Sequence, residues 1–223
     1  MAPGLRYPAP MSPLSGIRTW IFDLDNTLYP PEARLLDQME GRMTRWIMHE
    51  LGLDRAGADR LRHRYWRRHG ATLSGLMAEH RISARDWLDH VHDIDLGALV
   101  PDAALADRIS RLPGRRIVFT NGAAAPYAAR VLAARGLGEV FDAVYGIEEA
   151  RFRPKPDPAA YRAVARADGH DPARAAMFED TPDNLRAPHA MGMATVHVAP
   201  RRASGDHIHH HAPDLSAFLS QIV

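Results

Sequence analysis

Two aspartates separated by one residue, Asp23 and Asp25, follow an apolar run that begins at Trp20. Two like charges at the end of a buried strand are unfavourable unless a cation or a proton neutralises them. Open α/β sheets also bind their ligands at the carboxyl ends of their strands. The pair therefore predicts a metal-assisted carboxylate site, and a strand that ends in a solvated Asx turn is the alternative.

Two later segments carry groups that suit a phosphate. Thr120 and Asn121 stand between a predicted strand and a predicted helix, where a hydroxyl, an amide and backbone N–H groups favour an anion. Lys155 stands between two prolines, which limit the backbone freedom around it, so it is a candidate for a fixed charge toward phosphate. An ordinary turn and an ordinary surface lysine are the alternatives.

A second pair of carboxylates, Glu179 and Asp180, follows another apolar run. If the two runs are neighbouring parallel strands, one of these carboxylates completes a magnesium site with the first pair, because Mg²⁺ binds oxygen ligands.

The elements that position these groups alternate between strands and helices. This alternation predicts an α/β fold with a Rossmann-like, doubly wound, mostly parallel sheet. Strands are predicted at residues 17–23, 116–119, 140–145, 175–178 and 194–198, and helices at 124–135, 158–168, 183–191 and 215–222.

A helical block of about 80 residues separates the first strand from the others, as an inserted domain would. Apolar spacing of three to four residues predicts helices through residues 32–111, interrupted by a polar loop at 69–75. The expected organisation is a flexible tail at 1–16, an α/β core at 17–29 and 112–223, and a helical insertion at 30–111.

The composition excludes several classes of function. The 223 residues are 46% hydrophobic and 25% charged and include no cysteine, which excludes disulfides, thiolate catalysis and cysteine-based metal sites. The net charge of +1 gives no field for a nucleic-acid polymer. Residues 1–13 lack the apolar core of a signal peptide, and no apolar run approaches the ~20 residues of a membrane span. We therefore expect a cytoplasmic protein without a membrane partner, and the oligomeric state stays open.

A histidine cluster near the end of the chain comprises His207, His209, His210 and His211. Imidazoles suit zinc, copper and nickel. A predicted helix follows the cluster, and an exposed loop or edge strand is the favoured interpretation, so its role stays open.

Four segments, each at the end of a predicted strand, share the order carboxylate, hydroxyl, lysine and carboxylate. They are Asp23-x-Asp25-x-Thr27, Thr120, Lys155-Pro156 and Glu179-Asp180. Together they resemble the four motifs of the haloacid dehalogenase-like hydrolase superfamily, and the insertion resembles its α-helical cap. The segments at 22–29, 70–76 and 179–185 are most similar to the pyrimidine 5′-nucleotidase group.

The resemblance implies a division of labour between the first two aspartates. Asp23 is then the nucleophile that forms an aspartyl-phosphate, and Asp25 is the general acid and later the general base. It also implies Mg²⁺ held by Asp23, by the backbone carbonyl of Asp25 and by Asp180, with Glu179 supporting these ligands rather than binding the metal.

The same resemblance implies roles for four other residues. Thr120 and Lys155 hold the phosphoryl oxygens, and Asn121 adds a further phosphate contact. Asp183 orients a metal-bound water or the lysine. The dehalogenases of the superfamily lack an aspartate at the position of Asp25, so its presence favours phosphoryl chemistry.

The cap is expected to exclude water and to select the substrate. Candidates for contact with a base or a ribose follow one another along the insertion: Tyr65, Trp66, Arg67, His69 and Thr72. The alternative is that Tyr65 and Trp66 pack between cap helices and that Arg67 is a solvated charge.

The function expected from these features is a Mg²⁺-dependent phosphomonoesterase that hydrolyses a small substrate, with a nucleoside 5′-monophosphate favoured. A sugar-phosphate phosphatase or a phosphomutase on the same fold is the alternative. A non-catalytic module that binds a phosphate ligand is the remote alternative, because such a module is expected to lose at least one of the four motif residues. The motifs do not distinguish pyrimidine from purine nucleotides.

Overall fold

Six parallel strands form one sheet in the computed structural model, which describes residues 14–223. In chain order they are β1 (Thr19–Phe22), β2 (Arg115–Phe119), β3 (Ala143–Tyr145), β4 (Ala175–Glu179), β5 (Ala194–Val198) and β6 (His210–Ala212). Their order across the sheet is β3-β2-β1-β4-β5-β6. The chain therefore winds outward from β1 in both directions, and the predicted doubly wound α/β fold is confirmed.

The register of the central strands sets the position of the residues that follow them. Phe22 pairs with Val118 on one side and with Phe178 on the other. The backbone N–H of Asp23 then donates to the carbonyl of Phe178 at 2.9 Å. The residues that follow β1, β2 and β4 consequently meet at one edge of the sheet.

Helices cover both faces of the sheet and fill the insertion. They are α1 (Leu35–Leu51), α2 (Arg55–His69), α3 (Thr72–Glu79), α4 (Ala84–Val91), α5 (Ala103–Ser110), α6 (Ala129–Ala134), α7 (Pro158–Asp168), α8 (Arg186–Ala190) and α9 (Leu215–Leu219). Short helical turns lie at Pro31–Ala33, Ala124–Ala128, Pro172–Arg174 and Pro182–Leu185. Within residues 14–223, no helix has both the length and the hydropathy needed to cross a membrane.

The core alternates across the sheet, as strands with two covered faces require. Phe22 and Phe178 stack on one face, with ring centroids 4.6 Å apart. Ile21, Phe119 and Met177 belong to the buried cluster on the other face. These apolar contacts fix β1 between β2 and β4.

The helices of the insertion pack on one another through the predicted apolar stripe. Met39 and Ile47 of α1 are buried, and Trp46 meets Trp87 of α4 edge to face at 5.0 Å. α1 ends at Gly52, whose φ of 64° is the left-handed conformation that closes many helices. The side chain of Asp54 then caps α2 by accepting from the N–H of Gly57.

Some predicted boundaries were wrong. Of the predicted loop at 69–75, only residues 70 and 71 lie outside the helices, because α2 extends to His69 and α3 begins at Thr72. Gly75 lies inside α3, where a Cβ would be 2.3 Å from the ring of Tyr65, so the glycine permits close packing rather than a turn. The predicted helix at 183–191 is a 3-10 turn followed by α8, and the last helix ends at Leu219.

The domain boundaries stay a prediction. Residues 1–13 of the tail predicted at 1–16 lie outside the described residues. α5, which the prediction assigns to the insertion, packs against α9, and Arg108 of α5 hydrogen-bonds Ser216.

Candidate active site

An ion cluster around Lys155 occupies the carboxyl edge of the sheet. The Nζ atom of Lys155 lies 2.5 Å from Oδ1 of Asp23 and 2.6 Å from Oε2 of Glu179. It also donates to the carbonyl of Phe119 at 3.1 Å. All three ionised side chains are buried. The three acceptors match the three N–H donors of an ammonium group, so the buried cation is fully paired.

Lys155 is the only lysine among the 28 basic residues of the sequence. A lysine ammonium is a compact point charge, whereas an arginine guanidinium is a planar fork. The buried position between three converging acceptors suits the ammonium.

The carboxylates of this edge repel one another. Burial raises the pKa of Asp23 to about 8, and the charge of Glu179 adds to the effect although Lys155 opposes it. Burial also raises the pKa of Glu179 to about 7, with Lys155 opposing and Asp180 adding to the rise. The pKa of Asp180 is raised by burial and by Asp23. One ammonium group therefore does not neutralise the three acids, and their arrangement favours a further cation.

The same three acids offer a set of metal ligands. Asp23, Glu179 and Asp180 each present a carboxylate oxygen, and these oxygens lie within 4.8 Å of one another. Carboxylate oxygens are the ligands that Mg²⁺ and Ca²⁺ prefer. The residues present thus fit a hard divalent cation. The structure places the side chain of Glu179, predicted as a supporting residue, beside those of Asp23 and Asp180. The predicted ligand role of the Asp25 backbone carbonyl stays a prediction.

The carboxylate of Asp25 is held by three hydroxyl groups. Its Oδ1 accepts from the phenol of Tyr29 at 2.6 Å and from the phenol of Tyr127. Its Oδ2 accepts from Oγ1 of Thr120 at 3.3 Å. Asp25 also lines the adjacent cavity, so it is both firmly held and accessible to a small ligand.

Thr120 and Asn121 support their neighbours in the structure. Thr120 is fully buried, and its hydroxyl accepts from the N–H of Gly122 at 2.9 Å. The side-chain amide of Asn121 accepts from the N–H of Lys155 at 2.7 Å and donates to its carbonyl at 3.3 Å. Asn121 thereby fixes the loop that carries the lysine. A contact of either residue with phosphate stays a prediction.

A cavity of about 470 Å³ lies between this edge of the sheet and the inserted helices. Its polar floor includes Asp23, Asp25, Lys155, Glu179 and Asp180. The inserted helices line the cavity with both polar and apolar residues. The apolar ones, which we call the apolar wall, include Met39, Met43, Trp66, Leu73, Trp87 and Val91. A ligand in this cavity would meet charged groups at one end and aromatic and aliphatic groups at the other.

One cation stands beside the apolar wall. Arg62 of α2 lines the cavity and pairs with Glu40 at 3.1 Å. Its Nε atom is buried, and within residues 14–223 it has no hydrogen-bond partner. Arg62 therefore retains a donor for another acceptor.

Of the residues of the insertion that were predicted to contact the substrate, some line the cavity and others lie on a different face of the helix. Thr72 and Trp66 line the cavity, whereas Tyr65, Arg67 and His69 do not. Tyr65 is buried between helices, where its hydroxyl donates to Glu79 at 2.9 Å. Tyr65 and His69 are four residues apart and share one face of α2, and Arg67 is exposed. The sequence indicates that this segment is helical but not which face of α2 points toward the cavity, so the prediction included residues from both faces.

Asp183 also lies away from the cluster. Its side chain is exposed and pairs with Arg186 at 2.9 Å. It does not line the cavity, because it stands in the 3-10 turn after β4 and points to solvent. Within residues 14–223, Asp183 makes no hydrogen bond to Lys155, whose partners are Asp23, Glu179 and Phe119. Its predicted orientation of a metal-bound water stays a prediction.

Sequence reasoning missed three residues near Asp25. Tyr29 stands four residues after Asp25, a spacing that could have indicated it. Tyr127 and His92 belong to distant segments, and their rings stack at 4.3 Å with an interplanar angle of 13°. Only the fold brings them to the site.

The histidine cluster forms part of the sheet edge. His210 and His211 lie in β6, the outer strand beside β5. Ring nitrogens of His207 and His211 are 3.1 Å and 2.7 Å from the backbone carbonyls of Pro182 and Ala199. Within the described residues, the acidic trio at the sheet edge is the group of potential ligands close enough to share a metal.

The fold and the site define an α/β protein with an acidic ligand site at the carboxyl edge of a parallel sheet. A family model described as haloacid dehalogenase-like hydrolase matches residues 17–192. The chain belongs to this hydrolase family.

The chain is also similar in sequence to a yeast protein. Phosphate metabolism protein 8 of Saccharomyces cerevisiae is 28% identical in an alignment of 198 positions, and the match covers 80% of this chain. The chain spans 60% of the length of the yeast protein.

Solved structures share the fold at low sequence identity. A HAD phosphatase from Thermococcus onnurineus is 16% identical with a TM-score of 0.62, covering 92% of this chain and 98% of its own. An L-2-haloacid dehalogenase from Xanthobacter autotrophicus is 18% identical with a TM-score of 0.57, covering 92% of this chain and 98% of its own. At this level of sequence identity, both structural similarities show a shared fold and nothing further.

Proposed function

We propose that the protein is a Mg²⁺-dependent phosphomonoesterase that works through an aspartyl-phosphate and acts on nucleoside 5′-monophosphates. The observation that carries the proposal is that Asp23, Asp25 and Lys155 all line one cavity. A nucleophile, a proton carrier and a cation are the groups that phosphoryl transfer to a carboxylate requires. The yeast relative is named for phosphate metabolism, and a structural neighbour is called a phosphatase.

The first half of the reaction joins phosphorus to Asp23. Lys155 holds Oδ1 of Asp23, so Oδ2 is the attacking oxygen. A bond forms between this oxygen and phosphorus while the bond from phosphorus to the leaving oxygen breaks. Asp25 gives its proton to the leaving oxygen, which departs as a neutral alcohol.

The second half removes the phosphoryl group. Asp25, now a carboxylate, takes a proton from a water molecule as the water oxygen attacks phosphorus. The bond between phosphorus and Asp23 breaks, inorganic phosphate leaves, and both aspartates return to their initial state. The same carboxyl group thus serves as acid and then as base.

A metal ion has a defined place in this scheme. Asp23, Glu179 and Asp180 are the residues that would hold Mg²⁺. The bound ion supplies positive charge to the acidic cluster and to the phosphoryl oxygens. The raised pKa of about 8 at Asp23 supports this assignment, because a nucleophilic carboxylate must be ionised at neutral pH.

The opposite end of the cavity supports a nucleobase as part of the leaving group. Trp66 and Trp87 offer aromatic surface, and Arg62 adds a hydrogen-bond donor beside it. A base has both a flat apolar face and polar edges, whereas a sugar presents hydroxyl groups that the apolar wall does not match. The wall therefore favours a nucleotide over the sugar phosphates of the alternative phosphatase or phosphomutase. The proposal places the enzyme in the cytoplasm, with free small phosphomonoesters as its partners.

A screen of purified protein tests the proposal. Inorganic phosphate release is measured from nucleoside monophosphates, hexose phosphates and 4-nitrophenyl phosphate, with Mg²⁺ or with EDTA. We expect release that depends on Mg²⁺ and is fastest with a nucleoside monophosphate. Isomerisation of a hexose phosphate without phosphate release would indicate the mutase, and no turnover of any phosphate would contradict the proposal.

A further inference from the structure

We propose that Tyr29 and Tyr127 are positioning residues that together hold Oδ1 of Asp25 and so leave Oδ2 as the atom that carries the catalytic proton. The inference rests on the proposed function and adds two residues to which the sequence analysis assigned no role. Both phenol groups donate to the same carboxylate oxygen.

Both tyrosines are built into the protein interior. Tyr127 has no exposed surface and Tyr29 has only 2%. Burial, together with the charge of Asp25, raises the pKa of each phenol above its ordinary value near 10. Both phenols therefore keep their protons near neutral pH and remain hydrogen-bond donors to Asp25.

The two rings are held from different parts of the chain. Tyr29 follows Asp25 by four residues in the turn after β1. Tyr127 comes from the helical turn after β2 and stacks on His92, which follows α4. A Cβ at Gly122 would lie 3.0 Å from the ring of Tyr127, so the ring also packs closely against this loop. Two independent supports thus fix the orientation of the carboxyl group.

The hydrogen bonds distinguish the two oxygens of Asp25. A proton on Oδ1 would displace one of two well-placed phenol donors. The hydroxyl of Thr120, at a longer 3.3 Å from Oδ2, is the contact of the other oxygen. Oδ2 accepts the longer of these contacts and is therefore the oxygen that a proton occupies at lower cost. Asp25 itself lines the cavity in which the leaving group would lie.

The pair also assists the proton transfer itself. When the proton passes from Oδ2 to the leaving oxygen, negative charge develops on the carboxylate. Two phenol donors already aligned with Oδ1 stabilise this charge without reorganisation. Their contribution is consequently largest when the leaving group most needs a proton.

The dependence on the leaving group gives a selective test. The variants are Tyr29→Phe and Tyr127→Phe, and Tyr145→Phe is the control because its hydroxyl bonds Asp168 rather than Asp25. Release of the leaving group is followed in a single turnover with a nucleoside monophosphate, whose alkoxide needs a proton, and with 4-nitrophenyl phosphate, whose phenolate does not. Mg²⁺ affinity and the melting temperature are measured alongside.

We expect each variant to slow release from the nucleotide by about 10- to 100-fold, a part of the 10²–10⁴ typical of general acid catalysis. Release of 4-nitrophenolate should change by less than about threefold, and Mg²⁺ affinity and KM should be retained. Each tyrosine variant tests the inference by itself. If one variant unfolds, the other still provides the test. Equal loss with both substrates, or no loss with either, would overturn the inference while the phosphatase stands. Absence of turnover by the wild type would overturn the proposed function as well.

Discussion

Lys155 and Asp23 form a buried ion pair, with Nζ 2.5 Å from Oδ1, at the point where β1 and the loop before α7 approach one another. Both side chains are at least 94% buried, so neither has water as an alternative partner. The pair joins residues 132 positions apart in the chain. It therefore couples the stability of the fold to the charge state of the proposed nucleophile.

Removal of the lysine charge should destabilise the fold. Lys155→Met leaves Asp23 and Glu179 buried without their common partner, and a broken buried pair typically costs about 3–5 kcal/mol. Urea unfolding at neutral pH measures the loss. The control is Arg153→Met, since the pair of Arg153 with Asp157 is largely exposed and such pairs contribute up to about 1 kcal/mol. Equal stability of the two variants would show that Lys155 is not the structural partner of the acids.

Acidification should destabilise the protein through His92. Burial lowers the pKa of His92 to about 4, although the charge of Asp25 opposes the shift. The unfolded chain takes up a proton near pH 6.5 and the folded protein only near pH 4, so this stability is complete above about pH 7 and is lost as the pH falls. Between about pH 7.5 and about pH 5 the loss is roughly 2 kcal/mol.

A comparison of variants isolates this contribution. His92→Gln should reduce the pH dependence of unfolding by that amount, whereas His49→Gln, at an exposed position, should leave the dependence unchanged. An unaltered dependence in His92→Gln would show that another group titrates.

Substrate selection should depend on Arg62. Arg62→Ala removes the donor beside the apolar wall and should raise KM for a nucleoside monophosphate by about 10-fold, equivalent to one hydrogen bond of about 1.4 kcal/mol. KM for 4-nitrophenyl phosphate should change little. Arg60→Ala, an exposed position on the same helix, is the control. An equal rise in KM for both substrates would show that Arg62 does not recognise the leaving group.

Packing of the insertion should depend on Gly75. Gly75→Ala places a Cβ 2.3 Å from the ring of Tyr65, and such overpacking typically costs about 1–3 kcal/mol. Gly41→Ala is the matched control, because its Cβ meets only the flexible end of Arg45 at 3.5 Å. The control should stabilise α1 by about 0.5–1 kcal/mol. Thermal unfolding of both variants provides the measurement, and equal shifts would contradict the close packing of α2 and α3.

The fold and the acidic edge could be predicted because local patterns specify them. Each apolar run ends in a polar group, and parallel strands bring their carboxyl ends together. Asp23, Lys155 and Asp180 are consequently expected at one edge of the sheet from the sequence alone. The end of α1 at Gly52 is likewise a local feature, because the left-handed conformation there favours glycine.

The remainder could not be predicted because it depends on orientation. Trp66 and Arg67 are adjacent in α2, yet only Trp66 lines the cavity. Gly75 was interpreted as a turn residue because a single sequence does not show the ring of Tyr65 against it. Tyr127 reaches Asp25 from 102 residues away, and no local pattern reports such a contact.

The central claim is that Asp23 is the nucleophile of a phosphatase, and the rate of phosphate release by Asp23→Asn tests it most directly. Asparagine retains the shape of the side chain and an acceptor for Lys155, so the fold should persist, as circular dichroism and thermal unfolding would show. Asp107→Asn, at an exposed position on α5, is the control and should retain full activity. We predict that Asp23→Asn releases phosphate at least about 1,000-fold more slowly than the wild type in the presence of Mg²⁺. Turnover by a folded Asp23→Asn at the wild-type rate would contradict the account.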